Sequence, residues 1–113
     1  MHETAIVESA LDLIFEKAEE HHLQKINRIT AKVGRLSGAL PEALEFAFEC
    51  LSKGTITEGA EFVIERIEAT AECGPCGISF PVMHVHTVCP QCGGIDNKLL
   101  TGYELYIDTI EGD

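Results

Sequence analysis

The sequence predicts an α/β protein of the α+β type, with two helices, a small three-stranded mixed sheet and a cysteine-rich module inserted between two strands. Three observations predict this fold. Helical and strand-like patterns alternate over the first 72 residues, a segment with two Cys-x-x-Cys pairs follows, and another strand pattern closes the chain. Because the inserted segment leaves and rejoins one sheet, its two ends should lie close together. We expect residues 1–70 and 99–113 to form the α/β domain and residues 71–98 to form the insert.

Two amphipathic helices are predicted. In residues 3–22, apolar side chains recur at steps of three and four residues, namely at Ile6, Val7, Ala10, Leu11, Ile14, Phe15 and Ala18. A second helix begins at Pro41, a residue that the first turn tolerates, and stops before Gly54. Its buried side is predicted to carry Leu44, Phe48 and Leu51. Cys50 lies in the same helix and is interpreted as a small core residue.

Three strands are predicted from alternating polarity, over residues 25–33, 61–72 and 101–110. In the first strand, apolar and polar residues alternate between two faces: Ile29, Ala31 and Val33 against Arg28, Thr30 and Lys32. The second strand loses its alternation near Glu65 and Arg66, which indicates a bulge or burial on both sides. The third strand places its larger apolar residues on one face: Tyr103, Leu105 and Ile107.

Composition restricts the class of partner. The chain has 113 residues, 45% of them apolar, and 19 acidic against 8 basic residues give a net charge of −11. Such a surface repels nucleic acid and favours a cation or a basic protein. No apolar run approaches the roughly 18 residues of a membrane span, and the chain start lacks a secretory pattern, so we expect no membrane contact and a cytoplasmic location.

The cysteine segment predicts a metal site. It contains two Cys-x-x-Cys pairs separated by twelve residues: Cys73, Cys76, Cys89 and Cys92. Each pair can turn both sulfurs toward one point, and four thiolates suit tetrahedral Zn²⁺. A disulfide framework is not expected in a reducing compartment. Gly77 and Gly93 directly follow the two pairs, where small residues let backbone amides turn toward the sulfurs. The segment therefore predicts a structural zinc ribbon.

Two other interpretations of this segment are open. The sequence CGPC is typical of dithiol oxidoreductases, but Gly77 and Pro81 interrupt the helix that such a site requires. His84 or His86 in the spacer offers an imidazole that can replace a cysteine ligand. The segment from Cys73 to Cys92 contains no Lys, Arg, Asp or Glu, so it lacks the cations that grip phosphates. Its expected role is structural, docking or metal sensing.

The start of the chain, MHE, suggests a second metal site. The amine of Met1, the amide nitrogen of His2 and the imidazole of His2 can bind one ion through adjoining chelate rings. Ni²⁺ and Cu²⁺ accept such square-planar nitrogen sites. Glu3, or a nitrogen from elsewhere, can supply the fourth position. On these residues alone the site is a hypothesis, because chain termini usually fray and a histidine there is often incidental.

The motifs together resemble one known family. The MHE start of an amphipathic helix, VGRLSG, SKGTITEGAEFVIE, the paired Cys-x-x-Cys motifs and TGYELYIDTIE are similar to the HypA/HybF family of hydrogenase-maturation nickel metallochaperones. The similarity extends over essentially the whole chain. It implies a non-enzymatic protein that binds Ni²⁺ and helps insert it into the large subunit of [NiFe] hydrogenase, and in some organisms serves urease. It also implies a nickel-handling maturation GTPase as partner.

The resemblance assigns roles to individual residues. His2 is the implied nickel ligand, Glu3 tunes or joins that site, and the four paired cysteines hold Zn²⁺. Some relatives have a histidine directly after a cysteine pair; here Gly77 and Gly93 occupy those positions, which leaves His84 and His86 as the only imidazoles for a ligand-switching zinc site. We expect a monomer or a weak homodimer. The alternative function is a zinc-ribbon adaptor that binds only protein.

Overall fold

The structure is a computed structural model that describes residues 2–82 and 87–113. In chain order these residues form α1 (Glu3–Glu20), β1 (Ile26–Gly34), α2 (Pro41–Ser52), β2 (Glu61–Ile67), β3 (Thr70–Cys73), β4 (Ser79–Pro81), β5 (Asn97–Thr101) and β6 (Leu105–Gly112). The chain divides into two compact units. Unit 1 contains residues 1–32, 38–65 and 106–113, and unit 2 contains residues 33–37 and 66–105.

The first sheet has the strand order β2-β1-β6. Two ion pairs show that β1 and β2 are parallel: Arg28 pairs with Glu61, and Lys32 pairs with Glu65. The basic residues lie four positions apart on β1 and the acidic residues four positions apart on β2, in the same direction along both strands. Strand β6 runs antiparallel to β1, since Asp113, just after β6, exchanges backbone hydrogen bonds with Lys25, just before β1. This confirms the predicted three-stranded mixed sheet with two helices.

The core of unit 1 is mainly aliphatic. Both helices bury one stripe of side chains, which for α1 contains Val7, Leu11, Ile14 and Ala18 and for α2 contains Leu44, Ala47, Phe48 and Ser52. The ring of Phe48 stacks on Phe62 of β2, with centroids 4.6 Å apart, and so fixes α2 against the sheet. Neither helix in the described part of the chain is long and apolar enough to cross a membrane.

The prediction of a single strand over residues 61–72 is wrong. The structure has two strands there, and they belong to different sheets: β2 pairs in the mixed sheet, whereas β3 is the centre of the sheet β4-β3-β5. The chain passes from one sheet to the other between β2 and β3. There the carbonyl of Ala69 accepts a hydrogen bond of 2.8 Å from the N–H of Val82. The loss of alternation near Glu65 lies in β2, shortly before this change of sheet.

The strand predicted over residues 101–110 is likewise divided. Thr101 ends β5, and β6 begins only at Leu105. Gly102 lies between them with a φ of 125°, a value that side-chain-bearing residues rarely adopt. Tyr103 is therefore outside β6 and is 68% exposed, which contradicts its predicted place on one face with Leu105 and Ile107.

Three smaller expectations are also wrong. Helix α1 ends at Glu20 because His22 adopts a φ of 57°, which ends the helical path. Thr30, expected on the exposed face of β1, is buried in the sheet. Cys50 is exposed and is not part of the core, because it lies one helical turn after the exposed Phe46 on the outer side of α2.

Unit 2 is larger than the predicted insert of residues 71–98. Its sheet is complete only with β3 from Thr70 and β5 through Thr101, and the segment from the last residue of β3 to the start of β5 contains all four paired cysteines. Thr70 and Thr101 face each other in the register, and their hydroxyls are 2.7 Å apart. Unit 2 also includes residues 33–37, which are the last two residues of β1 and the three that follow it.

Gly34→Ala should destabilise unit 2 by about 3 kcal/mol, the upper end of the range for overpacking. A Cβ at Gly34 would overlap the backbone carbonyl of Gly102, and a backbone group cannot move aside as a flexible side chain can. Chemical denaturation measures the change in the free energy of unfolding. Thr109→Ala, at an exposed position of β6, is the control and should change it by less than about 0.5 kcal/mol. Equal stability of the two variants would contradict the close backbone approach.

Candidate metal centre

The four paired cysteines meet at one point in unit 2. All their sulfur atoms lie within 4.8 Å of one another. The Sγ atoms of Cys73 and Cys92 are 3.5 Å apart, and those of Cys76 and Cys89 are 3.6 Å apart. A tetrahedral zinc ion with Zn–S bonds of about 2.3 Å separates its sulfur ligands by roughly 3.8 Å. The donor set and its spacing therefore fit a metal ion such as zinc.

The two cysteine pairs have equivalent backbone turns. The carbonyl of Cys73 accepts a hydrogen bond from Gly77 at 2.8 Å, and the carbonyl of Cys89 accepts one from Gly93 at 2.9 Å. Both glycines have a φ of 73°, in the left-handed region that favours glycine. Each turn directs both of its sulfurs toward the same point. This geometry explains why a glycine follows each pair.

Burial protects part of the cluster. Cys73 and Cys89 are buried with Ala71 and Phe80 in a small core of unit 2, whereas Cys92 is exposed. Strand β3 leads directly into the first pair, since Cys73 is its last residue. The first pair is therefore supported by the sheet, and one edge of the cluster is open to solvent.

The thiol pKa values differ within the cluster. Burial opposes ionisation of Cys89, but hydrogen bonds from the backbone N–H groups of Cys92 and Gln91 outweigh it and lower its pKa to about 6. Hydrogen bonds with Cys73 and with the backbone of Ile78 favour the Cys76 thiolate, but burial and the thiols of Cys89 and Cys92 outweigh them and raise the pKa of Cys76. Among the four paired cysteines, the pKa is lowered only for Cys89 and is raised for Cys73, Cys76 and Cys92.

The structure lacks the context that a dithiol oxidoreductase requires. Such a site places its reactive cysteine at the start of a helix. Here Cys76 is followed by Gly77 in a left-handed turn and then by strand β4. The described part of the spacer is not helical either. His84 and His86, the alternative imidazole ligands, lie outside the described residues.

The N-terminal residues form a separate feature in unit 1. His2 is exposed and extended, with φ −101° and ψ 102°, and it precedes the first residue of α1 without capping the helix through its side chain. Its carbonyl accepts a hydrogen bond from Ile6 at 3.2 Å. The His2 side chain is therefore at the surface, at the point where α1 begins. Met1 lies outside the described residues.

Glu3 has a partner that sequence reasoning missed. Its Oε2 atom accepts a hydrogen bond from the backbone N–H of Leu40 at 3.1 Å, just before α2 begins. This hydrogen bond lowers the pKa of the Glu3 carboxyl. The contact joins the start of α1 to the start of α2. Leu40 itself carries no polar side-chain group, so no residue type in the sequence signalled this contact.

Comparison with known proteins now identifies the family. The family model described as "Hydrogenase/urease nickel incorporation, metallochaperone, hypA" matches residues 1–112. The chain belongs to the HypA family. It is 36% identical over 111 residues to the hydrogenase maturation factor HypA of Geobacter sulfurreducens, a match that covers 98% of each chain. It is 40% identical over 107 residues to that of Chlorobaculum tepidum, covering 95% of each.

A solved structure supports the fold of the HypA family for this chain. The solution structure of the Ni metallochaperone HypA from Helicobacter pylori superposes with a TM-score of 0.69, covering 99% of this chain and 97% of that one. Sequence identity between the two is 24%. The family model and the curated relatives confirm the family resemblance seen in the sequence. HypA proteins are metallochaperones or maturation factors and not enzymes.

Proposed function

We propose that this chain binds Ni²⁺ at its N-terminus and helps insert the ion into [NiFe] hydrogenase, and into urease where one is present. The observation that carries the proposal is the match of residues 1–112 to a family of nickel metallochaperones, in a chain that begins MHE. Ni²⁺ is cargo in this proposal. It is bound by the amine of Met1, the amide nitrogen of His2 and the imidazole of His2.

The position of His2 supports this nickel site. A delivery site must exchange its ion, so it has to be accessible and incomplete rather than closed. His2 is exposed and lies just before the first helical turn, where its backbone is extended. An imidazole there can approach an ion without any rearrangement of the core.

We propose that Glu3 tunes the nickel site through its contact with Leu40. Its carboxylate is held 3.1 Å from the Leu40 N–H, which anchors the residue that follows His2. This anchor limits the directions that the short N-terminal segment can take. A carboxylate has two oxygens, so Glu3 can also join the ion as a ligand without giving up this hydrogen bond.

We propose that Cys73, Cys76, Cys89 and Cys92 hold a structural Zn²⁺. A closed set of four thiolates keeps its ion, in contrast to an open nickel site. The equivalent turns and the sulfur separations of 3.5 and 3.6 Å support this assignment. The ion stabilises unit 2, and unit 2 then offers a fixed surface to partners.

The proposed partners are a nickel-handling maturation GTPase and the large subunit of [NiFe] hydrogenase. The proposed location is the cytoplasm, where thiols stay reduced and available to metal. We propose that the protein acts as a monomer or a weak homodimer. A zinc-ribbon adaptor without nickel function is the competing proposal, and in it His2 has no role.

Nickel titration of the untagged protein separates these two functions. The nickel chaperone should bind about one Ni²⁺ per chain under conditions in which zinc is already bound. Isothermal titration calorimetry gives the stoichiometry, and mass spectrometry of the intact protein shows whether Met1 is retained. Zinc-loaded protein that takes up no nickel would support the adaptor instead.

No specific DNA or RNA binding is expected at physiological salt. The net charge of −11 repels phosphates, and the segment from Cys73 to Cys92 supplies no cations. Fluorescence anisotropy with labelled duplex and single-stranded probes at ~150 mM salt tests this, because specific binders reach nanomolar dissociation constants there. A nanomolar dissociation constant with any probe would overturn the expectation.

A further inference from the structure

The two cysteine pairs are supported differently by the fold. The first pair lies in a hairpin between β3 and β4, which pair antiparallel and place Glu72 opposite Ser79. The second pair lies within residues 87–96, which form no strand in the described part of the chain. Its own turn is closed by backbone hydrogen bonds, but strand pairing does not hold this turn in place. Contacts other than strand pairing therefore position the second pair relative to the first, and the burial of Cys89 in the small core of unit 2 is one of them.

The side chain of Asn97 makes a further contact of this kind. Its Nδ2 atom donates a hydrogen bond to the carbonyl of Thr87 and a second, of 3.0 Å, to the carbonyl of Gly94. Thr87 lies two residues before Cys89, and Gly94 lies two residues after Cys92. One amide group thus joins the two ends of the segment that carries the second pair.

The same residue is connected to the first pair. Asn97 begins β5 and lies opposite Cys73 in the register between β3 and β5. The adjacent carbonyl of Asp96 accepts a hydrogen bond of 3.0 Å from Gly74, inside the first turn. The backbone at the start of β5 is therefore bonded to the turn of the first cysteine pair, while the Asn97 side chain is bonded to both ends of the segment that carries the second pair.

The contact requires the donor side of the amide. Both partners of Asn97 are carbonyl oxygens, which can only accept hydrogen bonds, so the side chain at this position must be a donor. The Oδ1 atom is buried and has no hydrogen-bond partner among residues 2–82 and 87–113. An aspartate has nearly the same size and shape, but its carboxylate would face two carbonyl oxygens without a donor.

We propose that Asn97 is a positioning residue that clamps the second cysteine pair and so controls how tightly the four sulfurs retain zinc. The inference rests on the proposed zinc site. It goes beyond that site because it assigns the retention of the ion to a side chain that does not touch it. Contacts that orient metal ligands typically change metal affinity by about ten- to a hundredfold when they are removed.

The test measures zinc release from fully loaded protein to the chelator 4-(2-pyridylazo)resorcinol. Asn97→Asp and Asn97→Ala should release zinc about ten- to a hundredfold faster than the wild type. Asn27→Asp is the matched control, because Asn27 also donates a side-chain hydrogen bond, at 3.2 Å to Asp113, but lies in unit 1. It should release zinc at the wild-type rate, and the helical circular dichroism of all variants should be unchanged.

If a variant cannot be loaded with zinc, its metal affinity is measured by titration with Co²⁺ instead. The absorption bands of Co²⁺ report on the ligand set, so a variant with four thiolate ligands but a weaker Co²⁺ affinity supports the clamp. Wild-type zinc release or wild-type Co²⁺ affinity in Asn97→Asp would overturn it while leaving the zinc site intact. A wild-type protein without zinc would instead overturn the zinc site, and the clamp with it.

Discussion

Cys73→Ala should lose its zinc and unfold unit 2 while unit 1 stays folded. Cys73 is fully buried, with its sulfur 3.5 Å from that of Cys92, so its loss removes both a ligand and part of a small core. Binding of structural zinc supplies about 10 kcal/mol or more in small modules. The core of unit 2 has few large apolar residues and cannot replace that contribution.

Metal analysis and hydrogen exchange measure the two parts of this prediction. The wild type should contain about one zinc per chain, and the variant close to none. Backbone amides of residues 70–73 and 97–101 should lose protection in the variant, whereas those of α1 and α2 should keep it. Cys50→Ala is the matched control, since Cys50 is exposed and outside the cluster. Zinc retained in Cys73→Ala would contradict the four-thiolate site.

Local sequence patterns could not predict that the strands belong to two separate sheets. Periodicity predicted both helices and the mixed sheet, because each of these elements buries one regular face. Residues 61–72 and 101–110 were each predicted as one strand, yet each contains a transition between two sheets. Those transitions depend on contacts distant in sequence, such as Val82 with Ala69, and on the backbone of Gly102.

The candidate sites show the same difference between local and distant information. Spacing alone predicted the cysteine cluster, because the ligands of such a site lie in two short motifs whose turns are local. The contact of Glu3 with Leu40 and the contacts of Asn97 involve backbone groups of distant residues. Every residue carries such groups, so the sequence gives no signal of which ones will be used.

His2→Ala should abolish nickel binding and leave zinc content and helical content unchanged. The substitution removes the proposed imidazole ligand, while His2 is exposed and contributes no side-chain cap to α1. Isothermal titration calorimetry with Ni²⁺ gives the affinity, and metal analysis gives the zinc content. His21→Ala, at an exposed histidine at the other end of α1, is the matched control and should bind nickel normally. Normal nickel binding by His2→Ala would place the ion elsewhere, with His84 and His86 to be tested next.

An N-terminal extension of a few residues should weaken nickel binding although every native side chain is kept. The extension converts the amine of Met1 into an amide, which breaks the chelate ring that the amine shares with the His2 amide nitrogen. In the protein without the extension, nickel affinity should also fall as the pH is lowered, because protons compete with Ni²⁺ for the amine, amide and imidazole nitrogens. Proteolytic removal of the extension back to Met1 is the control and should restore the affinity. Equal affinity with and without the extension would show that the imidazole of His2 binds nickel without the terminal amine.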